Sequence, residues 1–282
     1  MYPHFLTPRP TNPEAPLFIY LPGMDGTGEL LSRQLEGLER GFDIRCLTIA
    51  LDDLSSWEEL TQQVVGLIEQ ALEHRPERSV YLCGESFGSC LSLKVALHAP
   101  HLVHHLILIN SATAFKRHPW IYWGSYLVRP FPEPLSQWSR LGFLPFLAAL
   151  NRIEADDRQA LLKAMQSVSQ ESSIWRISLL RSLELMPQEL QQIVQPTLLI
   201  AGQRDCLFPS VAEATHLADQ IPGARVHVLP HSGHACLLET DVDLFDIMKT
   251  NGFAPRFVET PASPLPDGEP SPDSENVSIQ TR

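Results

Sequence analysis

Cys83-Gly84-Glu85-Ser86-Phe87-Gly88 stands between the apolar run Ser79-Val80-Tyr81-Leu82, which reads as a short buried strand, and Ser89 to His98, which reads as a helix rich in Leu, Ala and Lys. A strand that turns into a helix within a few residues forces the corner residue into a sparsely populated backbone conformation. Gly84 and Gly88 lack side chains, so strand and helix can approach closely around Ser86. The corner then presents the Ser86 hydroxyl above the sheet as a nucleophile. Gly-x-Ser-x-Gly alone arises by chance fairly often; the strand before it and the helix after it give it weight.

Working outward, Leu17-Phe18-Ile19-Tyr20-Leu21 is an apolar run closed by Pro22-Gly23 and reads as the first sheet strand. Leucines at 30, 31, 35 and 38 predict a helix over 29–38, and Phe42 to Ile49 a second strand. Ser55 with Glu58 predicts a capping box opening a helix from Ser56 to about His74. Beyond the corner, Leu106-Ile107-Leu108-Ile109-Asn110, Thr197-Leu198-Leu199-Ile200-Ala201 and Ala224 to Leu229 read as strands, with helices over Ser210 to Gln220 and after Thr240. Near-continuous apolar strands alternating with helices predict an α/β fold whose mostly parallel sheet is flanked by helices, with its site beyond the carboxyl ends of the strands.

The alternation stops between about 112 and 195. That stretch is helical in pattern and holds Trp120, Trp123, Trp138 and Trp175, with Phe131, Phe143, Phe146 and several prolines. It is expected to be a helical cap inserted after the strand ending near Asn110. Residues 1–16 form a Pro-rich segment, 17–253 one domain, and 254–282 a Pro, Ser, Asp and Glu-rich tail expected to be disordered.

A net charge of −12 without a Lys/Arg cluster excludes a phosphate-tracking surface, so no nucleic-acid partner is expected. No run reaches the roughly 18 apolar residues of a membrane span, and residues 1–16 contain no apolar core of a secretory signal. Five scattered cysteines without metal spacing point to a reduced, cytoplasmic compartment. Neither metal nor cofactor is expected.

Ser86 needs a base. In folds with this corner the partners follow in the order serine, acid, histidine. Asp205 lies in the loop after the strand ending at Ala201, and His234 in the loop after the next strand, so order and position both match. His234 would take the Ser86 proton and return it to the leaving group, while Asp205 would fix the imidazole tautomer. His231 is the rival base; the Ser-Gly-His setting and the apolar run after it favour His234. Asn110-Ser111, where some such folds carry their acid, offers no carboxylate. The backbone N–H groups of Phe87 and Met24 are the candidate oxyanion donors. Because these donors are main-chain groups, substitution of Met24 is expected to matter less than a change to Gly23.

With these residues assembled, the chain resembles the α/β-hydrolases, and within them the hydrolase half of the phytyl ester synthase and diacylglycerol acyltransferase-like proteins of plastids and cyanobacteria. The resemblance rests on Leu21-Pro-Gly-Met-Asp-Gly-Thr-Gly28, Phe42-Asp-Ile-Arg-Cys46, Trp57-Glu-Glu-Leu60, Gly84-Glu-Ser-Phe-Gly88, Asn110-Ser-Ala-Thr113 and Gly233-His234, and covers about Leu17 to Lys249. It implies acyl transfer from a lipid or thioester to a long-chain alcohol such as phytol, or hydrolysis of such esters. Those plant proteins continue into a module with a His-x-x-x-x-Asp motif, and no histidine here is followed by Asp at that spacing. The more economical expectation is a serine hydrolase acting on a hydrophobic acyl ester or thioester through an acyl-serine. The apolar cap is then a candidate for substrate contact and for peripheral membrane contact. The opening antiparallel strands of many such folds are expected to be missing.

Blander readings stand beside these. The cap aromatics can form a core of their own. His98, His101, His104 and His105 read as a surface connection rather than a metal site, Cys206 and Cys236 as small buried fillers, and Asp25 as a turn residue. A hydrolase fold used only for binding usually loses a member of its triad, whereas this chain keeps Ser86, Asp205 and His234.

Overall fold

The computed structural model describes residues 3–119 and 149–255. Trp120, Trp123, Trp138, Phe131, Phe143, Phe146 and the tail from 256 onward, on which several of the expectations above fall, lie outside the described residues.

Seven strands form one sheet: β1 (His4–Leu6), β2 (Leu17–Leu21), β3 (Asp43–Thr48), β4 (Val80–Glu85), β5 (His105–Ile109), β6 (Thr197–Gly202) and β7 (Arg225–Leu229), in the order β1-β3-β2-β4-β5-β6-β7. From β3 to β7 every neighbouring pair is parallel. The strand period of two shows in the packing: Leu17, Ile19, Leu82 and Leu108 join one core, and Phe18, Tyr20, Cys83 and Ile109 the other. Both faces of the central strands β2, β4, β5 and β6 are dry, which is why these read as unbroken apolar runs, whereas the edge strands β1 and β7 are partly to largely exposed.

Helices α2 (Trp57–Leu72), α3 (Phe87–His98) and α7 (Ser210–Gln220) bury their apolar stripes in the first core. Helices α1 (Leu35–Leu38) and α8 (Leu244–Thr250) bury theirs in the second. Between β5 and β6 run α4 (Ala155–Ser167), α5 (Gln170–Ser182) and α6 (Pro187–Leu190).

Three local expectations are corrected. An antiparallel strand does open the chain: β1 pairs with β3, His4 opposite Thr48. Pro3 and Pro8 leave only a short pairing segment between them, which suits an edge strand and hides it in a Pro-rich sequence. The capping box is Ser56 with Glu59, one residue later than expected. Ser55 is taken by Asp53, whose carboxylate accepts both the Ser55 N–H and hydroxyl at 3.0 Å. The expected helix over 29–38 begins as a 3₁₀ segment, Glu29–Gln34, before α1.

The close approach at the corner is steric fact. A Cβ on Gly84 would overlap the Gly88 carbonyl and Ser92 Oγ, and one on Gly88 would overlap the carbonyl oxygens of Leu21 and Pro22. Gly88→Ala is therefore expected to cost about 3 kcal/mol, seen as a fall in melting temperature of roughly 6–12 °C. An unchanged melting curve would show that the corner can open to admit a methyl group.

Candidate active site

Between the last residue of β4 and the first of α3, Ser86 sits at φ 52° and ψ −112°. Such a conformation costs a non-glycine residue of order 1–3 kcal/mol and persists only where its surroundings fix it. Here the Ser86 N–H donates to the Ile109 carbonyl at 2.9 Å, and its own carbonyl accepts from the Ser89 N–H at 3.1 Å and the Ser89 hydroxyl at 2.6 Å.

The loops after β6 and β7 bring the other two residues to this corner. His234 Nε2 lies 2.9 Å from Ser86 Oγ, and His234 Nδ1 lies 2.7 Å from Asp205 Oδ2. The carboxylate is held in turn: Oδ1 accepts the N–H groups of Leu207 at 2.8 Å and Phe208 at 3.0 Å, and Oδ2 accepts the Ser210 hydroxyl. His231, the rival, is exposed.

The electrostatics follow from burial and pairing. Burial by itself raises the Asp205 carboxyl, but the His234 charge and hydrogen bond, with Ser210 and the Phe208 N–H, hold it below the usual carboxylate range. For His234 burial works against the charge, and Asp205 and then Glu85 outweigh it, so the imidazole titrates above the ordinary histidine value. An imidazole whose Nδ1 faces a carboxylate keeps Nε2 free to accept a proton from Ser86 Oγ.

Phe87 is the fully buried first residue of α3, and Met24 lies in the turn after β2. That turn runs against Ser86: a Cβ on Gly23 would lie 3.8 Å from the Ser86 Cβ. Its nearest contact, Asp25 Oδ1 at 3.5 Å, is also ordinary, so the protein's own atoms leave room for an alanine. The sensitivity expected at Gly23 has no steric basis in the protein alone. Asp25 is consumed by the turn, accepting the Thr27 N–H at 2.9 Å and its hydroxyl at 2.6 Å.

Asn110 and Glu85 lie within the motifs quoted from the sequence, which give them no role, and Glu239 lies in none of them. Asn110, at φ 43°, ties the two loops together: its amide N–H groups donate to the His234 carbonyl at 2.6 Å and the Gly233 carbonyl at 3.2 Å, and its Oδ1 accepts the Gly202 N–H at 2.7 Å. An asparagine closing a buried strand was the available signal, because Asn tolerates positive φ. Glu239, fully buried, accepts the Gly233 N–H at 2.8 Å and pairs with Arg152 Nε at 2.8 Å. Beneath the corner, Tyr20 donates its hydroxyl to Glu85; burial pushes the Glu85 carboxyl up to about 7, with the Tyr20 bond and the His234 charge pulling against it. Cys236 is buried as expected, whereas Cys206 is exposed and corrects the filler reading; its loop turns it outward while Asp205 turns in.

A parallel sheet with a serine corner at its carboxyl edge is the architecture of the α/β-hydrolases. The chain belongs to the Hydrolase_4 family, described as serine aminopeptidase, S33, whose profile matches residues 52–241. It is 30% identical over 263 residues to phytyl ester synthase 1, chloroplastic, of Arabidopsis thaliana, an alignment covering 85% of this chain and 37% of the synthase. It is also 30% identical over 178 residues to the pimeloyl-[acyl-carrier protein] methyl ester esterase of Nitrosomonas europaea, covering 59% of this chain and 70% of the esterase. Among solved structures, a hydrolase from Pseudomonas aeruginosa superposes with a TM-score of 0.66 at 23% identity, over 83% of this chain and 91% of that one, a likeness of fold. The chain thus spans well under half the length of the plant synthase.

Proposed function

We propose that this chain is an esterase acting on hydrophobic, long-chain acyl esters or thioesters through an acyl-Ser86 intermediate. The observation that carries the proposal is the hydrogen-bonded line from Ser86 Oγ through His234 to Asp205, with heavy-atom distances of 2.9 Å and 2.7 Å. His234 takes the Ser86 proton as the hydroxyl attacks the acyl carbon, and Asp205 orients the imidazole and balances its charge. The Met24 and Phe87 N–H groups receive the oxyanion. His234 then gives the proton to the leaving oxygen or sulfur, and water, activated by the same imidazole, releases the acid.

The acyl preference is supported by apolar neighbours and by the relatives. Phe208 packs against His234 with ring centroids 5.4 Å apart, and Phe115 against Phe208 at 6.2 Å. Two relatives bear the names of an ester synthase and an ester esterase. The synthase likeness also favours a second reading, in which a long-chain alcohol such as phytol resolves the acyl-enzyme in place of water. Among the described residues no helix is long and apolar enough to cross a membrane.

A panel of esters of rising acyl length, with an aminoacyl amide alongside and with or without phytol, tests the proposal. Each buried methylene contributes roughly 0.8 kcal/mol, so kcat/KM is expected to rise about threefold to fourfold per added CH₂ until the site is filled. New phytyl ester in the presence of phytol would identify the transfer reading. Preference for the amide, or for acetyl over long chains, would contradict the esterase proposal.

A further inference from the structure

Arg176 is among the largest fully buried side chains of the protein, 2% exposed, yet it is no part of the Ser86, His234 and Asp205 line. It lies on α5, inside the otherwise apolar run Ile174-Trp175-Arg176-Ile177. Its Nη1 donates to the Met24 carbonyl at 2.5 Å and its Nη2 to the Ala50 carbonyl at 3.2 Å. The turn is left bare where the guanidinium passes: a Cβ on Gly26 would lie 2.6 Å from Nη1. Burying a guanidinium to fasten a helix is costly, and an apolar side chain of similar volume would do it more cheaply. What the charge adds is a directional hold on a main-chain carbonyl.

The same helix reaches the other oxyanion residue. One turn beyond Arg176, the Leu179 carbonyl accepts the Trp57 indole N–H at 2.8 Å, and that indole stacks on the Phe87 ring with centroids 4.7 Å apart and planes at 22°. Helix α5 therefore holds Met24 directly by hydrogen bond and reaches Phe87 through the Trp57 indole of α2. We propose that Arg176 is a positioning residue that, with α5, sets where the Met24 N–H stands relative to the Phe87 N–H, so that the seating of the inserted helices governs transition-state stabilisation. The inference rests on the reading of Met24 and Phe87 as oxyanion donors. Anchoring the Met24 carbonyl fixes the peptide plane on one side of the Met24 Cα; the Met24 N–H belongs to the preceding plane, whose Gly23 carbonyl accepts the Gly26 N–H at 3.1 Å, so the two planes that meet at Met24 are both held within this turn.

Steady-state kinetics of Arg176→Gln, Arg176→Lys and Trp57→Phe on the best ester of the panel test the inference, with pH profiles, melting curves and hydrogen exchange of peptides spanning residues 22–28. Arg176→Gln is expected to lower kcat about 30- to 100-fold, as a donor displaced by an ångström does, with KM within about threefold. Arg176→Lys should recover part of the loss. The acid limb of kcat/KM should stay at the wild-type pH, because the His234–Asp205 pair is untouched, and exchange in 22–28 should quicken. A kcat within twofold of wild type, or a loss confined to KM, would overturn the inference while leaving the esterase proposal standing. If Arg176→Gln fails to fold, Trp57→Phe, which keeps a ring on Phe87 and removes the indole N–H, decides: several-fold lower kcat at unchanged KM supports the inference, and wild-type kcat overturns it. A wild-type protein inert toward every ester would remove the esterase reading and this inference together.

Discussion

Ser86→Ala is expected to lower turnover of a long-chain ester, the proposed substrate, by about 10⁴- to 10⁶-fold while leaving the fold intact. The size follows from the chemistry: without the hydroxyl no acyl-enzyme forms, and what survives is whatever the oxyanion donors and binding alone supply to attack by water. The fold should tolerate the change well. Ser86 already bears the strained φ of 52°, alanine has the same Cβ, and the hydroxyl's close partner among the described residues is His234. A melting curve near that of wild type, paired with the kinetic loss, is the expected result. Retention of more than about a hundredth of the activity would exclude Ser86 as the nucleophile.

Asp205→Asn is expected to lower kcat by about 10⁴-fold. An amide at this position presents an N–H toward His234 Nδ1, which favours the tautomer with its proton on Nε2, facing Ser86, where a base is needed. Its pH signature has a definite sign. In the native protein the Asp205 charge lifts His234 above the ordinary histidine value, so kcat/KM rises with pH as the imidazole loses its proton above that value. Removing the carboxylate charge lowers the His234 pKa, and the acid limb moves to lower pH. Glu85, pushed up to about 7, interacts with His234, so the limb belongs to both groups. Asp205→Asn with an unmoved limb and near-native kcat would show that the two residues are adjacent without acting together.

How much of this was legible in the sequence follows from what each level of patterning encodes. The buried parallel strands were readable because burial on both faces demands unbroken apolar runs, and β2 (Leu17–Leu21) has the extent that its composition predicted. The corner was readable because close approach admits only glycine at 84 and 88. The edge strand β1 was not, since three residues paired on one side carry no periodicity. The box at Ser56 and Glu59 was misplaced by one because Ser55 and Glu58 offer the same local chemistry; only the Asp53 turn distinguishes them. Asn110 reaches partners 92 and 124 residues away, Arg176 one 152 away, and Glu239 pairs with Arg152, 87 residues away, besides the nearby Gly233; local pattern is blind to the distant pairings. Their one sequence signal was polarity in an apolar setting, most visible for Arg176.

The most direct test of the account is to trap the acyl-enzyme. The protein is incubated briefly with an activated long-chain ester or an alkyl fluorophosphonate, quenched in acid, digested after Lys and Arg, and mapped by mass spectrometry. The account predicts a single addition on the peptide Ser79 to Lys94, located at Ser86, and its absence in Ser86→Ala. No addition in the wild type, or the same addition in Ser86→Ala at another residue such as the exposed Cys206, would contradict it.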